Sequence, residues 1–225
     1  MRLNSACCMA LAACLTWLAG FAPAARAQSE FTPPAGKGRL VVVVSGAFGA
    51  STYQPPARRI AALGYDAILL DSHAMTSAST LRAAIARAQS SPHALPGKVG
   101  VAGFSMGGGE LLRNATAWPD LVAVALLWYP VTRGINDAAS FVRGLKVPVL
   151  MFAGEADQLS SHCCTIKTAR DLGAAAAAAG LPFELVTYRG AGHDFVLEGL
   201  HSYDPDAAAD SWRRAAAKLA EYLGP

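Results

Sequence analysis

The chain has 225 residues and a formal net charge of +3. That length suits one domain with a full core. The weak charge gives no electrostatic argument for a nucleic-acid or membrane partner. Residues 1–27 read as a secretory signal peptide: a basic start at Met1-Arg2, an apolar run to Ala25, and an Ala25-Arg26-Ala27 cleavage site. Cleavage is expected after Ala27, leaving 28–225 as one exported, periplasmic domain. An uncleaved anchor would need a longer apolar run. A lipid-attachment box ending at Cys14 sits very early in the leader. Removing the leader takes away Arg2, Arg26 and three of the five cysteines (Cys7, Cys8, Cys14), so the formal charge falls to +1.

Beyond the leader, residues 40–44 form a β-branched apolar run bounded by glycine, a buried strand. Residues 55–63 predict a helix closed by Gly64, and 67–70 the next strand. Residues 78–90 are amphipathic, with Leu81 and Ile85 on one face. Residues 99–102 form a strand leading into Gly103-Phe104-Ser105-Met106-Gly107, followed by a helix-compatible stretch at 108–117. Strands follow at 122–128, 147–153 and 183–188. The low-complexity alanines at 174–179 read as helix, alanine being the best helix former. Helices are therefore predicted at 165–179 and 205–223. Strands alternating with helices imply a single α/β domain, a mainly parallel sheet with helices on both faces. Ligands then sit at the carboxyl ends of the strands. The segment between Trp128 and Val147 is too short for a large cap, so the site is expected to be open and shaped by loops.

Gly-x-Ser-x-Gly between a strand and a helix carries the most chemistry. Such a turn holds the serine in a strained conformation with its hydroxyl above the sheet. Cβ atoms at the glycines would crowd the neighbouring strand or helix. A serine hydroxyl needs a base to take its proton, and the base needs a carboxylate to fix its tautomer. Strand 147–153 runs into Gly154-Glu155-Ala156-Asp157, and strand 183–188 into Gly190-Ala191-Gly192-His193-Asp194. Ser105, Asp157 and His193 are the expected nucleophile, acid and base. Of the other histidines beyond the leader (His73, His93, His162, His201), none follows the last strand in a glycine-flanked loop. Asp157 is preferred to Glu155 because a few residues of loop let the acid reach the histidine. Asp194 is expected to face solvent or cap a turn. The oxyanion donors are expected to be the N–H of Met106 and that of Ala47 or Phe48, in the loop after the first strand. Trp128 and Tyr129, at a strand end, are candidates for lining the substrate pocket.

Rival readings are weaker. Gly46 and Gly49 followed by Asp71 imitate a dinucleotide-binding unit, but the third glycine is missing and Pro55-Pro56 interrupts the helix start. Cys163-Cys164 forms either a vicinal disulfide or two separate thiols, and no metal-ligand or C-x-x-C spacing surrounds them. A non-catalytic binding protein would not need all three triad residues. A peptidase would want a larger lid or propeller.

Serine, acid and histidine in that chain order is the α/β-hydrolase order. Over nearly its whole length after the leader, the chain resembles the dienelactone hydrolase family. The resemblance rests on Gly103-Phe104-Ser105-Met106-Gly107-Gly108, on Gly154-Glu155-Ala156-Asp157, on Gly192-His193-Asp194-Phe195, and on Tyr203-Asp204-Pro205 before an alanine-rich final helix. It implies hydrolysis of a small ester or lactone with no metal or organic cofactor. Two departures qualify it. Serine stands where the best-known members carry cysteine, and Leu197 stands where an arginine helps hold the substrate carboxylate. A less charged ester or lactone is therefore the expected substrate.

Overall fold

Four consecutive valines, 41–44, show how the sequence builds this fold. Val41 and Val43 are buried on one face of the sheet, and Val42 and Val44 are buried on the other. A run apolar at every position is what a strand covered on both sides requires. The computed structural model describes residues 28–160 and 163–224. The expected leader, 1–27, and the Cys14 alternative lie outside the described residues. No helix among the described residues is long and apolar enough to cross a membrane.

In chain order the elements are β1 (Gln28–Phe31), β2 (Gly38–Val44), α1 (Gln54–Ala62), β3 (Asp66–Leu70), α2 (Ala78–Ala88), β4 (Ala94–Phe104), α3 (Ser105–Arg113), β5 (Val122–Trp128), α4 (Ala138–Val142), β6 (Val149–Gly154), α5 (Ile166–Ala178), β7 (Phe183–Tyr188) and α6 (Pro205–Leu223). The seven strands form one sheet in the order β1-β3-β2-β4-β5-β6-β7. All pairs are parallel except β1 with β3. Helices α2, α3, α4 and α5 bury apolar residues on one face. Helices α1 and α6 cover the other. This is a single-domain α/β-hydrolase fold. Between β5 and β6 stands only the five-residue α4, so no large cap covers the strand ends.

Caps and punctuation agree with the chemistry of the residues. Asp204 accepts the N–H groups of Asp206 and Ala207 at the start of α6, and Pro205 occupies its first position, where no N–H is needed. Helix α3 begins at Ser105 and ends at Arg113, earlier at both ends than the sequence predicts, and a 3-10 turn takes up Ala115–Ala117. Its glycines, 107 to 109, are tolerated because the helix lies directly on neighbouring backbone. A Cβ on Gly107 would sit 2.3 Å from the Ser45 carbonyl oxygen, and one on Gly109 would sit 2.6 Å from that of Val131.

Candidate active site

Strand β4 ends at Phe104, and the chain turns into α3 with Ser105 at φ 47°. A non-glycine residue in that left-handed region costs on the order of 1–3 kcal/mol and persists only where its surroundings force it. Two backbone bonds do so here. The Gly107 N–H donates to the Ser45 carbonyl at 3.1 Å, and the Val131 N–H donates to the Ser105 carbonyl at 2.9 Å. Gly103 is equally constrained, since a Cβ there would meet Leu111 and the Gly108 backbone at 2.6–2.9 Å.

The acid and histidine loops are pressed together at Gly154. A Cβ on Gly154, the last residue of β6, would lie 2.3 Å from the Ala191 carbonyl oxygen. The Ala156 N–H donates to that same oxygen at 3.0 Å. His193 is thereby held between Asp157 and Ser105. Its Nδ1 lies 2.6 Å from Asp157 Oδ2, and its Nε2 lies 2.8 Å from Ser105 Oγ. The other Asp157 oxygen accepts the Leu159 N–H at 3.1 Å. Both side chains of the histidine–acid pair are buried. Glu155 turns away, accepting Thr187 and Arg170 at 2.9 and 2.7 Å. Those bonds hold its carboxyl below the usual range, the Thr187 hydroxyl contributing most.

Met106 is the second residue of α3, so its N–H has no partner within the helix. Ala47 and Phe48 are the central residues of a turn closed by the Gly49 N–H on the Gly46 carbonyl, at 3.1 Å. That turn is braced from below by two buried serines. The Ser72 N–H donates to Ser45 Oγ at 3.0 Å, and the Ser72 hydroxyl donates to the Gly46 carbonyl at 3.1 Å. Asp71 accepts the Ala50 and His73 N–H groups at 3.1 and 2.9 Å, so it ties the same loop down from the next strand end. That is the place of the acid that suggested a dinucleotide unit. Gly46 is a close approach: a Cβ there would sit 2.1 Å from the Tyr53 hydroxyl and 3.2 Å from Ser105 Cβ.

Three sequence expectations need correction. Trp128 does not line a pocket. It is fully buried, stacked on Phe104 and tilted against Phe152 and Trp212, with ring centroids 4.7–5.0 Å apart. Its indole N–H donates to Ser211 at 3.1 Å. An apolar strand end facing α6 is a core position whatever follows it. Tyr129, at φ 37°, is buried too, but its ring stands 4.8 Å from that of His193, so it walls the histidine. Its hydroxyl is buried and has no hydrogen-bond partner among the described residues. Burial and neighbouring acidic groups push that phenol well above its ordinary range. Asp194 does not face solvent, although its carbonyl opens a turn by accepting the Leu197 N–H at 2.9 Å. It is buried at φ 61°, 3.4 Å from the Tyr53 hydroxyl and 3.9 Å from His193 Nε2. Desolvation raises its carboxyl above the ordinary value.

Cys163 and Cys164 are joined as a vicinal disulfide. Among the described residues, Asp157, Cys164 and His193 bring potential ligand atoms within 4.8 Å of one another. The Cys164 sulfur is committed to the disulfide, and Asp157 and His193 are bonded to each other. A cavity of about 390 Å³ opens beside the loop after His193, lined by Thr52, Pro55, Arg59, Leu197 and Trp212 among others. Neither Ser105 nor His193 lines it.

A parallel sheet with a serine at a strand-to-helix turn and a histidine and acid on later loops defines an α/β-hydrolase. The chain belongs to the dienelactone hydrolase family, which it matches over residues 70–223. A curated relative, protein usf of Aquifex pyrophilus, is 30% identical over 129 residues, covering 57% of this chain and 53% of that protein. The chain thus spans about half the length of the curated relatives it matches. Among solved structures, a propionate-bound thermophilic esterase from Thermogutta terrifontis is similar at a TM-score of 0.65 and 19% identity, over 88% of this chain and 90% of that one. A dienelactone hydrolase-like promiscuous phosphotriesterase from metagenomic libraries is similar at 0.66 and 22% identity, over 88% of this chain and all of the other. At those identities the likeness shows the shared fold.

Proposed function

We propose that this protein is a serine hydrolase that cleaves a small carboxylic ester or lactone through an acyl-enzyme. The observation that carries this reading is the unbroken relay from Asp157 through His193 to Ser105, with both hydrogen bonds at 2.6–2.8 Å. His193 takes the Ser105 proton as the oxygen attacks the carbonyl carbon. Asp157 holds the ring and stabilises the imidazolium. The developing oxyanion is received by the N–H of Met106 and that of Ala47 or Phe48. The alcohol leaves with the proton from His193. Water then attacks the acyl-enzyme by the same route, releasing the acid and restoring Ser105. No metal or organic cofactor enters any of these steps. The esterase named above supports an ester substrate. We also propose export, on the leader pattern at residues 1–27.

The test is intact mass after treatment with a fluorophosphonate. A single adduct on the wild type, absent from Ser105→Ala, supports an activated serine. No adduct on folded wild type overturns the reading.

A further inference from the structure

We infer that Asp194 sets the charge preference of this site, favouring esters with uncharged acyl groups over esters whose acyl chain ends in a carboxylate. The inference rests on the ester-hydrolase reading above.

Two carboxyls flank one imidazole. Asp157 stands at Nδ1, the side away from the serine. Asp194 stands 3.9 Å from Nε2, the nitrogen that faces Ser105. Its side chain is 8% exposed, about as deep as His193 at 7%, so the two share one boundary with the site. Among the described residues, no lysine or arginine forms an ion pair with either carboxylate. Charge balance then decides the outcome. During attack the oxyanion is matched by the new imidazolium. A carboxylate on the acyl chain adds a second anion beside a buried one that solvent screens poorly.

A purely structural role does not account for the residue. The Tyr53 hydroxyl is 3.4 Å from Asp194 Oδ1, at the long limit for a hydrogen bond. Asp194 also holds a left-handed backbone conformation that glycine would adopt without cost. A buried, strained acid with one weak bond beside a nucleophile is expensive unless its charge is used.

The experiment compares p-nitrophenyl pentanoate with mono-p-nitrophenyl glutarate, which match in acyl length and differ by one carboxylate. Both are assayed at pH 8.5 on wild type, Asp194→Asn and Asp194→Gly. Both replacements tolerate the left-handed backbone. We expect wild type to prefer the neutral ester, and the ratio of kcat/KM values to fall about tenfold in each variant, about 1.4 kcal/mol. A structural role would lower both substrates alike and leave the ratio within twofold, which overturns the proposal. Wild type that takes both esters equally well overturns it without any variant. A wild type that a fluorophosphonate labels, yet whose ratio does not respond to Asp194, leaves the hydrolase reading intact and removes the charge role. A wild type that is neither labelled nor active removes both.

Discussion

Replacing Gly107 by alanine adds one methyl group where α3 touches the end of β2. The new Cβ would lie 2.3 Å from the Ser45 carbonyl oxygen and 2.6 Å from that of Val44. Ordinary contact begins at 3.4 Å, so the two backbones must part by about 1 Å. Strand β2 is hydrogen-bonded on both sides, to β3 and to β4, so α3 is the element that moves. Ser105 lies two residues from the added carbon, and its 2.8 Å bond to His193 would open past hydrogen-bond range. Misplacement by about 1 Å is worth roughly a hundredfold in rate. Overpacking adds about 1–3 kcal/mol of destabilisation, or roughly 3–10 °C in Tm for a chain of this size. Steady-state hydrolysis of a short p-nitrophenyl ester and thermal unfolding measure the two effects. Gly173→Ala is the control. It lies inside α5, where a Cβ meets only Leu185 at 3.4 Å. Its better helix propensity should raise stability by up to about 1 kcal/mol and leave kcat/KM unchanged. A Gly107→Ala enzyme within threefold of wild-type kcat/KM would refute the reasoning.

Asp157→Asn keeps the shape and loses the charge that fixes the imidazole tautomer. The expected loss is about three to four orders of magnitude in kcat/KM, with Tm little changed, measured by ester kinetics and calorimetry. Asp66 is buried at the start of β3, with neither carboxyl oxygen bonded among the described residues. Burial raises its folded-state pKa above the unfolded value. Stability is therefore lost as pH rises through the window between the two values. Asp66→Asn should gain about 1 kcal/mol at pH 8, shown as a Tm higher by about 2–4 °C. It should show no gain once pH falls below the unfolded carboxylate range. Asp210 has the opposite sign: the Arg214 side chain holds it at about 2. Its contribution is present at neutral pH and is lost as pH falls from about 4 toward 2. Because the pair is largely solvated, Asp210→Asn should cost less than about 1 kcal/mol at pH 7, and the difference should close in thermal melts at pH 2.

The inner strands were legible because each is buried on both faces and so carries an unbroken apolar run. Inner strand β5 matches the expected 122–128 residue for residue, and the half-buried edge strand β7 matches 183–188 through its run of β-branched and aromatic residues. Strand β1 was not legible. Gln28–Phe31 is polar at three of four positions, and it joins the sheet through backbone pairing with β3 rather than by burying side chains. The early start of α3 was hidden by three glycines that propensity counts against a helix, while tertiary contact requires them. Ser105, His193 and Asp157 could be proposed because chemistry demands those types in strand-end loops. Asp194 could not. A polar residue beside glycines looks like a surface turn until the fold closes Tyr53 and Tyr129 around it. Trp128 failed for the converse reason: position along a strand says where a residue lies, not which face it occupies.

Ser105, Asp157 and His193 follow three strands, β4, β6 and β7, and β5 lies between the first two. No local segment contains any two of them in contact: the serine and histidine are 88 positions apart. Parallel pairings of this kind form late, because distant loops must close before their contacts reward them. Recovery of the proposed ester hydrolysis after denaturation should thus lag the return of helical signal and report completion of the sheet. The reaction itself becomes a clock on the last step of folding.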